Sequence, residues 1–160
     1  MTSFNPANNH YNLSYLYFGA RDYSLSLKWL NKILHETNID TREDIHCFAR
    51  IFILIIHFEL DNHDLLEYIV KSTYRFLYKR KRLFEVETSI LNFIRQKLPK
   101  INRQEKLLNS FKELKIELEQ ITQNPIGKKA LAYFDYISWL KSKIENKSFA
   151  DTIKEKAKHS

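Results

Sequence analysis

The chain has very few of the residues that make tight turns. Its 160 residues include only two glycines and three prolines. An all-β fold needs such residues at many sharp reversals, so their scarcity argues against one. With Gly19 and Gly127 as the only glycines, a glycine-rich phosphate-binding loop is excluded as well. The composition therefore favours an all-helical protein.

Cysteine and long apolar runs are scarce too. Cys47 is the single cysteine, so no disulfide can form within the chain, and a reducing cytoplasm is the simplest location. The longest wholly apolar run covers residues 51–56, far short of the ~20 residues that cross a bilayer. Residues 1–9 lack a basic start followed by an apolar run, so we expect no signal peptide. The sequence thus predicts a cytoplasmic protein without membrane insertion.

Apolar residues are nonetheless plentiful. Hydrophobic side chains make up 44% of the chain and aromatic ones 14%, which is too rich for an intrinsically disordered segment. A chain of 160 residues is long enough to bury a core and fits one domain. No low-complexity linker interrupts the sequence, so we expect a single domain over residues 1–160.

Positive charge is concentrated in the second part of the chain. Residues 1–70 carry 5 Lys or Arg and 9 Asp or Glu, a balance of −4, whereas residues 71–160 carry 21 and 10, a balance of +11. Such asymmetry indicates an acidic or polyanionic partner for the second half. A lysine-rich, solvated exterior is the alternative interpretation.

The spacing of apolar residues predicts about seven or eight helices. The most apolar of them covers about residues 42–60 and has no polar face through residues 51–56, so other helices must cover it on several sides. The helix that follows Asn124 has apolar positions at helical spacing as far as Ile144, which predicts one helix there. Residues able to cap a helix N-terminus are Asp22, Thr41 with Asp44, Asn124, and Ser148 with Asp151.

A two-helix pattern recurs in the first half of the chain. Tyr23 and His63 are equivalent points of the two copies and lie 40 residues apart, 63 − 23. A recurring unit of this size is typical of stacked helical hairpins. The first copy is clear over about residues 10–36, and the second is looser over about residues 45–77. The first copy is defined by Leu13, Ser14, Tyr17, Asp22, Tyr23, Ser26, Leu27, Leu30, Ile33 and Leu34.

This first copy resembles a tetratricopeptide repeat. In that family a large–small pair lies on the first helix, as Leu13 and Ser14 do here, and a small residue on the second helix permits close packing, as Ser26 would. The resemblance, which extends to uncharacterised bacterial proteins with such repeats, implies an all-α, right-handed stack of antiparallel helical hairpins that serves as a binding surface. It implies an N-terminal arm over residues 1–9, two hairpins over 10–79, further helices over 80–157 and a frayed tail over 158–160.

Basic residues cluster over residues 71–82. The members are Lys71, Arg75, Lys79, Arg80, Lys81 and Arg82. Four of them, at steps of four, four and three, share one stripe if the helix continues through Arg80. Tyr74, Tyr78 and Phe84 interleave with them. Because cations contact phosphates and aromatic rings stack on unpaired bases, the cluster predicts a patch for nucleic acid, another polyanion or an acidic protein. A solvated helix face is the alternative.

Aromatic residues also cluster near the N-terminus. Tyr11, Tyr15 and Phe18 predict a surface that, if exposed, would mediate homo-oligomerisation. The other interpretation makes them ordinary core positions, covered by the N-terminal arm through Phe4.

Residues that carry chemistry are poorly placed for it. His46 and His57 lie 11 residues apart, which corresponds to ~16 Å along a helix and is too far to share one metal ion. Neighbouring helical residues point about 100° apart, so His46 and Cys47 do not form a catalytic pair. Glu85 and Glu87 are two residues apart, which corresponds to about 200° around a helix, so their side chains diverge. We therefore expect no enzyme activity, no metal and no cofactor.

Together these observations predict a non-catalytic helical-repeat module for protein–protein interaction or scaffolding. Binding of nucleic acid or another polyanion through residues 71–82 is one alternative. Homo-oligomerisation through the N-terminal aromatic residues is the other.

Overall fold

The computed structural model describes residues 6–160, and this part of the chain contains helices and no β-strand. The helices are α1 (Pro6–Gly19), α2 (Tyr23–Glu36), α3 (Glu43–Glu59), α4 (His63–Lys79), α5 (Glu85–Asn92), α6 (Gln104–Ile121), α7 (Pro125–Tyr133), α8 (Tyr136–Ile144) and α9 (Phe149–Lys158). A π-helical turn, Phe93–Lys97, and a 3₁₀ turn, Leu98–Lys100, connect α5 to α6. The all-α prediction is confirmed, but the described residues form nine helices rather than seven or eight. None of these helices combines the length and the apolar character needed to cross a bilayer.

The helices group into two compact units. The first unit ends at Thr73 and the second covers Tyr74–Ser160, so the division falls inside α4. The expectation of one domain over residues 1–160 stays a prediction.

In the first unit, α1 and α2 pack closely through small residues. Ser14 and Ser26 are both fully buried, and the Ser26 hydroxyl donates a hydrogen bond to the main-chain oxygen of Ser14 at 2.7 Å. Serine brings its own donor into this contact, so the buried hydroxyl is satisfied while the two helix backbones remain close. Both helices also contact α3.

Helix α3 is buried around most of its circumference. Ile53 is half-buried, whereas the other residues of its apolar segment are at most 1% exposed. These residues are Ile51, Phe52, Leu54, Ile55 and Ile56. The prediction that other helices cover this segment on several sides is therefore confirmed.

Left-handed residues end several helices in this glycine-poor chain. Four non-glycine residues of the described part have positive φ: Arg21, Asp61, Lys81 and Asn146. The main-chain N–H of the next residue donates a hydrogen bond to the carbonyl oxygen five residues before it. One example is the 2.9 Å bond from Arg82 N–H to the Leu77 carbonyl oxygen. This is the Schellman arrangement, in which a residue in the left-handed conformation lets the final carbonyls be paired. The helices can therefore reverse direction without glycine.

In the second unit, α6 packs against α5 and α8, α8 contacts α9, and α7 contacts α5. Large aromatic side chains fill the space between these helices. Trp139 and Tyr136 are each 1% exposed. Phe134 lies 5.0 Å from Tyr136 and 5.4 Å from Phe149, measured between ring centroids.

The prediction of a single helix from Asn124 to Ile144 is wrong, because this segment forms two helices, α7 and α8. Phe134 adopts an extended conformation, and the Asp135 carboxylate accepts a hydrogen bond from Ser138 N–H at 2.9 Å. Asp135 is therefore the N-cap of α8. Aspartate competes well for backbone donors at such positions, so this local cap interrupts a helix that the apolar spacing alone would continue.

The caps predicted at other helix starts are mostly confirmed. Side-chain oxygens of Asp22, Asn124 and Ser148 accept hydrogen bonds from the main-chain N–H three residues later. The prediction of a capping box at Thr41 is wrong, because Arg42 occupies the N-cap position of α3. The Thr41 hydroxyl instead donates a hydrogen bond to the Asn38 carbonyl oxygen. Helix α1 begins at Pro6, so residues 6–9 of the predicted arm are helical.

Gly127 provides a test of the close contact between α7 and the end of α6. A methyl group there would overlap the main-chain carbonyl of Ile121, which cannot move like a flexible side chain. We expect Gly127→Ala to lower the free energy of unfolding by about 1–3 kcal/mol, as overpacking typically does. Urea unfolding followed by circular dichroism measures the change.

Gly19→Ala is the matched control, because nothing lies within 4 Å of an added methyl group at Gly19. It should leave stability unchanged or raise it by up to about 1 kcal/mol. Equal destabilisation by both substitutions would contradict the contact at Gly127.

Candidate functional site

The basic residues 71–82 do not form the continuous stripe expected from their spacing. Helix α4 ends at Lys79, and Lys81 takes a left-handed φ of 57°. The helix therefore does not continue through Arg80, and that expectation is wrong. The physical reason is the C-terminal cap, in which Arg82 N–H bonds to the Leu77 carbonyl and turns the chain away from the helix axis. Arg82 thus lies beyond the helical face that carries Arg75 and Lys79.

The six cations differ in their surroundings. Lys71 belongs to the first unit and pairs with Glu67 at 3.3 Å. Arg80 and Arg82 are half-buried, and the Arg80 guanidinium lies 5.1 Å from the centroid of the Phe76 ring. The remaining three are exposed, and within residues 6–160 they form no ion pair. These three are Arg75, Lys79 and Lys81.

Aromatic side chains accompany these three cations. The rings of Tyr74 and Tyr78 are nearly parallel, with 7° between their planes and 6.3 Å between their centroids. Tyr78 is 67% exposed, and Phe84 is also exposed. Arg95, from the π-helical turn, places its guanidinium 5.9 Å from the Tyr74 ring centroid. Sequence spacing gave no signal for Arg95, because only the tertiary fold brings it to α4.

We define the basic–aromatic surface of the second unit by five exposed residues from α4, its C-terminal turn and the π-helical turn. They are Arg75, Tyr78, Lys79, Lys81 and Arg95.

The N-terminal aromatic residues belong to the core of the first unit. Tyr11 is 8% exposed and Phe18 is 2% exposed, while Tyr15 is half-buried. All three surround Phe52 of α3, with ring centroids 5.1–6.2 Å away. Of the two interpretations given for these residues, the core position agrees with the structure, because the rings pack against the apolar helix α3. The suggested cover by Phe4 lies outside the described residues.

A surface that sequence reasoning missed lies at the turn between α3 and α4. Leu60 is 41% exposed, Leu65 42% and Tyr68 71%. Leu65 and Tyr68 are three residues apart on α4 and so share one face. Leu66, the neighbour of Leu65, is 3% exposed, so α4 faces the core with Leu66 and leaves Leu65 outside.

Each of these apolar residues has an acidic neighbour in sequence. The exposed carboxylates near the turn are Asp61, Asp64 and Glu67. Asp61 Oδ1 lies 2.6 Å from His63 Nε2, yet both side chains remain largely exposed. We define the acidic-rimmed surface as Leu60, Asp61, Asp64, Leu65, Glu67 and Tyr68.

The histidines and the cysteine have structural surroundings. His46 Nε2 lies 2.8 Å from the Thr37 carbonyl oxygen, and Cys47 is buried. Burial lowers the pKa of His57, which favours the neutral ring. Residues 6–160 contain no group of three or more His, Cys, Asp or Glu arranged to hold a metal ion.

One carboxylate of the second unit is buried. Glu87 is 5% exposed, whereas Glu85 two residues earlier is exposed, so these side chains diverge as predicted. Among the described residues, Glu87 Oε2 has no hydrogen-bond partner. Burial raises the pKa of Glu87, and a hydrogen bond from its own main-chain N–H offsets part of this rise. Removal from water thus favours the protonated form of the carboxyl group.

This raised pKa predicts a pH-dependent effect of Glu87→Gln. A group whose pKa is higher in the folded state stabilises the fold below its unfolded pKa, and this contribution is lost as pH rises through the folded pKa. Glutamine resembles the protonated acid at every pH. The variant should therefore match the wild type near pH 4 and exceed it near pH 8, by on the order of 1 kcal/mol.

Urea unfolding at a series of pH values measures this difference. Glu85→Gln is the control, because an exposed carboxylate should give a difference that hardly changes with pH. A stability difference for Glu87→Gln that is the same at both pH values would contradict the buried, raised-pKa carboxyl.

Comparison with models of protein families finds none that matches this chain, and neither curated proteins nor solved structures give a match. The resemblance to tetratricopeptide repeats therefore rests on the residues alone and stays a prediction. Function has to be inferred from the chain's own surfaces.

Proposed function

We propose that this chain is a non-catalytic, cytoplasmic helical-repeat module that binds another protein. Its helices α1 to α4 form two tetratricopeptide-like hairpins in this proposal. Supporting it, α2 begins at Tyr23 and α4 at His63, the two points 40 residues apart, 63 − 23. The preceding turns also match, because Arg21 and Asp61 both have positive φ.

The acidic-rimmed surface is the observation that carries the proposal. Large apolar side chains that stay exposed side by side are typical of protein interfaces, and tyrosine is among the residues that contribute most to binding. Tyr68 is 71% exposed next to Leu65, although the opposite side of α4 buries Leu66 and Val70. Helix α4 thus has apolar residues on a second face, which is not buried in the core of the protein.

Charge defines the kind of partner. The rim contributes Asp61, Asp64 and Glu67, of which Glu67 also pairs with Lys71, and residues 1–70 carry 5 basic against 9 acidic residues. A partner segment with an apolar stripe flanked by Lys or Arg would bury Leu65 and Tyr68 while matching the rim. Complementary charge speeds encounter and rejects acidic partners. We therefore infer a basic, amphipathic segment as the partner.

Homo-oligomerisation through Tyr11, Tyr15 and Phe18 receives no comparable support, since these rings surround Phe52 in the first unit. Light scattering at high protein concentration tests self-association directly. A monomer is the expected result.

A binding experiment with designed peptides tests the proposal. Fluorescence anisotropy compares an amphipathic helical peptide of Leu and Lys with a peptide of the same pattern in Leu and Glu. The cationic peptide should bind more tightly. Leu65→Ser/Tyr68→Ser removes apolar contacts without changing charge, and should weaken binding by about 30-fold or more if Tyr68 is a dominant contact.

Leu16→Ser is the matched control, because Leu16 is 67% exposed on α1 of the same unit. A pull-down from nuclease-treated native lysate adds the cellular partner. Proteins retained by the wild type and by Leu16→Ser should be lost with the double variant. Equal binding of both peptides, or equal loss with Leu16→Ser, would overturn the proposal.

A further inference from the structure

We propose that the basic–aromatic surface of the second unit binds single-stranded nucleic acid. This activity goes beyond the protein interaction proposed above. It uses different residues, in a different compact unit, so each proposal can fail without the other.

Unneutralised charge is the first argument. Within residues 6–160, Arg75, Lys79 and Lys81 form no ion pair, although they lie within seven residues of one another. Lys71 and Lys147 are also exposed, but each lies beside a carboxylate, that of Glu67 and that of Glu155 respectively. Cations held close together without counter-charges attract a ligand that carries repeated negative charge. A phosphodiester backbone supplies such charge, and binding releases its condensed counterions.

The position of the aromatic rings is the second argument. Tyr78 lies between Arg75 and Lys79 in sequence and remains 67% exposed, with its ring nearly parallel to that of Tyr74. Arg95 lies against the Tyr74 ring and brings a further guanidinium to the same place. An exposed ring beside cations offers stacking to a planar base and charge to its phosphate.

This combination selects among anionic ligands. An acidic peptide uses the cations but has no repeated planar group to stack on Tyr78. A duplex presents phosphates, but its bases are paired and stacked on one another, so none has a free face for Tyr78. A single strand has both free base faces and phosphates, so it matches all the groups of the surface.

Fluorescence anisotropy with labelled oligonucleotides tests the proposal. The probes are fluorescein-labelled oligouridylate and oligothymidylate, each of 12 nucleotides, and their binding is measured over a series of salt concentrations. Such oligonucleotides are long enough for a typical single-strand site of roughly 4–16 nucleotides. The triple variant Arg75→Gln/Lys79→Gln/Lys81→Gln should weaken binding at least about tenfold at low salt. Its plot of log affinity against log salt should be shallower by about 2, at ~0.7 for each lost phosphate contact.

Lys128→Gln/Lys129→Gln/Lys154→Gln is the charge-matched control. These lysines are exposed in the same unit, and the substitutions change the net charge by the same amount. The control should retain most of the affinity and the full salt dependence. An equal loss with both triple variants would show a diffuse charge effect and overturn the site.

Tyr78→Ser separates stacking from charge. It should weaken oligonucleotide binding about fivefold or more while leaving binding of inorganic polyphosphate unchanged, because polyphosphate has no bases. Tyr68→Ser is its control, since Tyr68 is equally exposed but belongs to the first unit. Tyr68→Ser should affect the peptide interaction and leave oligonucleotide binding intact, and Tyr78→Ser should do the reverse.

Three results would overturn the proposal. One is the absence of any anisotropy change at low salt. Another is polyglutamate binding as tightly as the oligonucleotides, with Tyr78→Ser having no effect, which would indicate an acidic protein partner. The third is tighter binding of a duplex than of either single strand.

Discussion

The middle of α3 has no polar face, and the first unit is arranged around keeping that segment out of water. Phe52 is 1% exposed because Tyr11, Tyr15 and Phe18 of α1 surround it, while α2 also contacts α3. The α1–α2 contact through Ser26 is close enough for both helices to reach the same core. Apolar burial of this kind is the dominant favourable contribution to folding, so Tyr11 and Phe18 of α1 belong to the interior. The two candidate binding surfaces lie on α4 and on the segments immediately before and after it.

Several features of this fold were predictable because they depend on local chemistry or on simple periodicity. The all-round burial of residues 51–56 follows from their composition. The caps at Asp22, Asn124 and Ser148 follow from side chains that can accept a hydrogen bond three residues ahead. Likewise, two carboxylates separated by two positions on a helix had to diverge, and only Glu87 is buried.

The remaining features depend on competition or on tertiary contacts, which one sequence does not reveal. Asp135 caps α8 although the apolar spacing on both sides of it suits an uninterrupted helix, because its bond to Ser138 N–H provides a local alternative. In the candidate sites, sequence reasoning identified the cations Arg75, Lys79 and Lys81 but not which of their neighbours would be neutralised or buried. Arg95 is distant from them in sequence, and only the tertiary fold places it next to Tyr74 of α4. The acidic-rimmed surface was missed because exposed leucines are common and gain meaning only when their neighbours are known.

The left-handed helix ends have a consequence for the stability of this chain. Arg21, Asp61, Lys81 and Asn146 hold a conformation that costs L-residues roughly 1–2 kcal/mol each relative to glycine. A single change to glycine at any of these turns would relieve that cost, so the protein lies below the stability that its architecture permits. What each turn retains instead is a polar or charged side chain at the point where two helices meet. At Lys81 that side chain adds a cation to the end of α4.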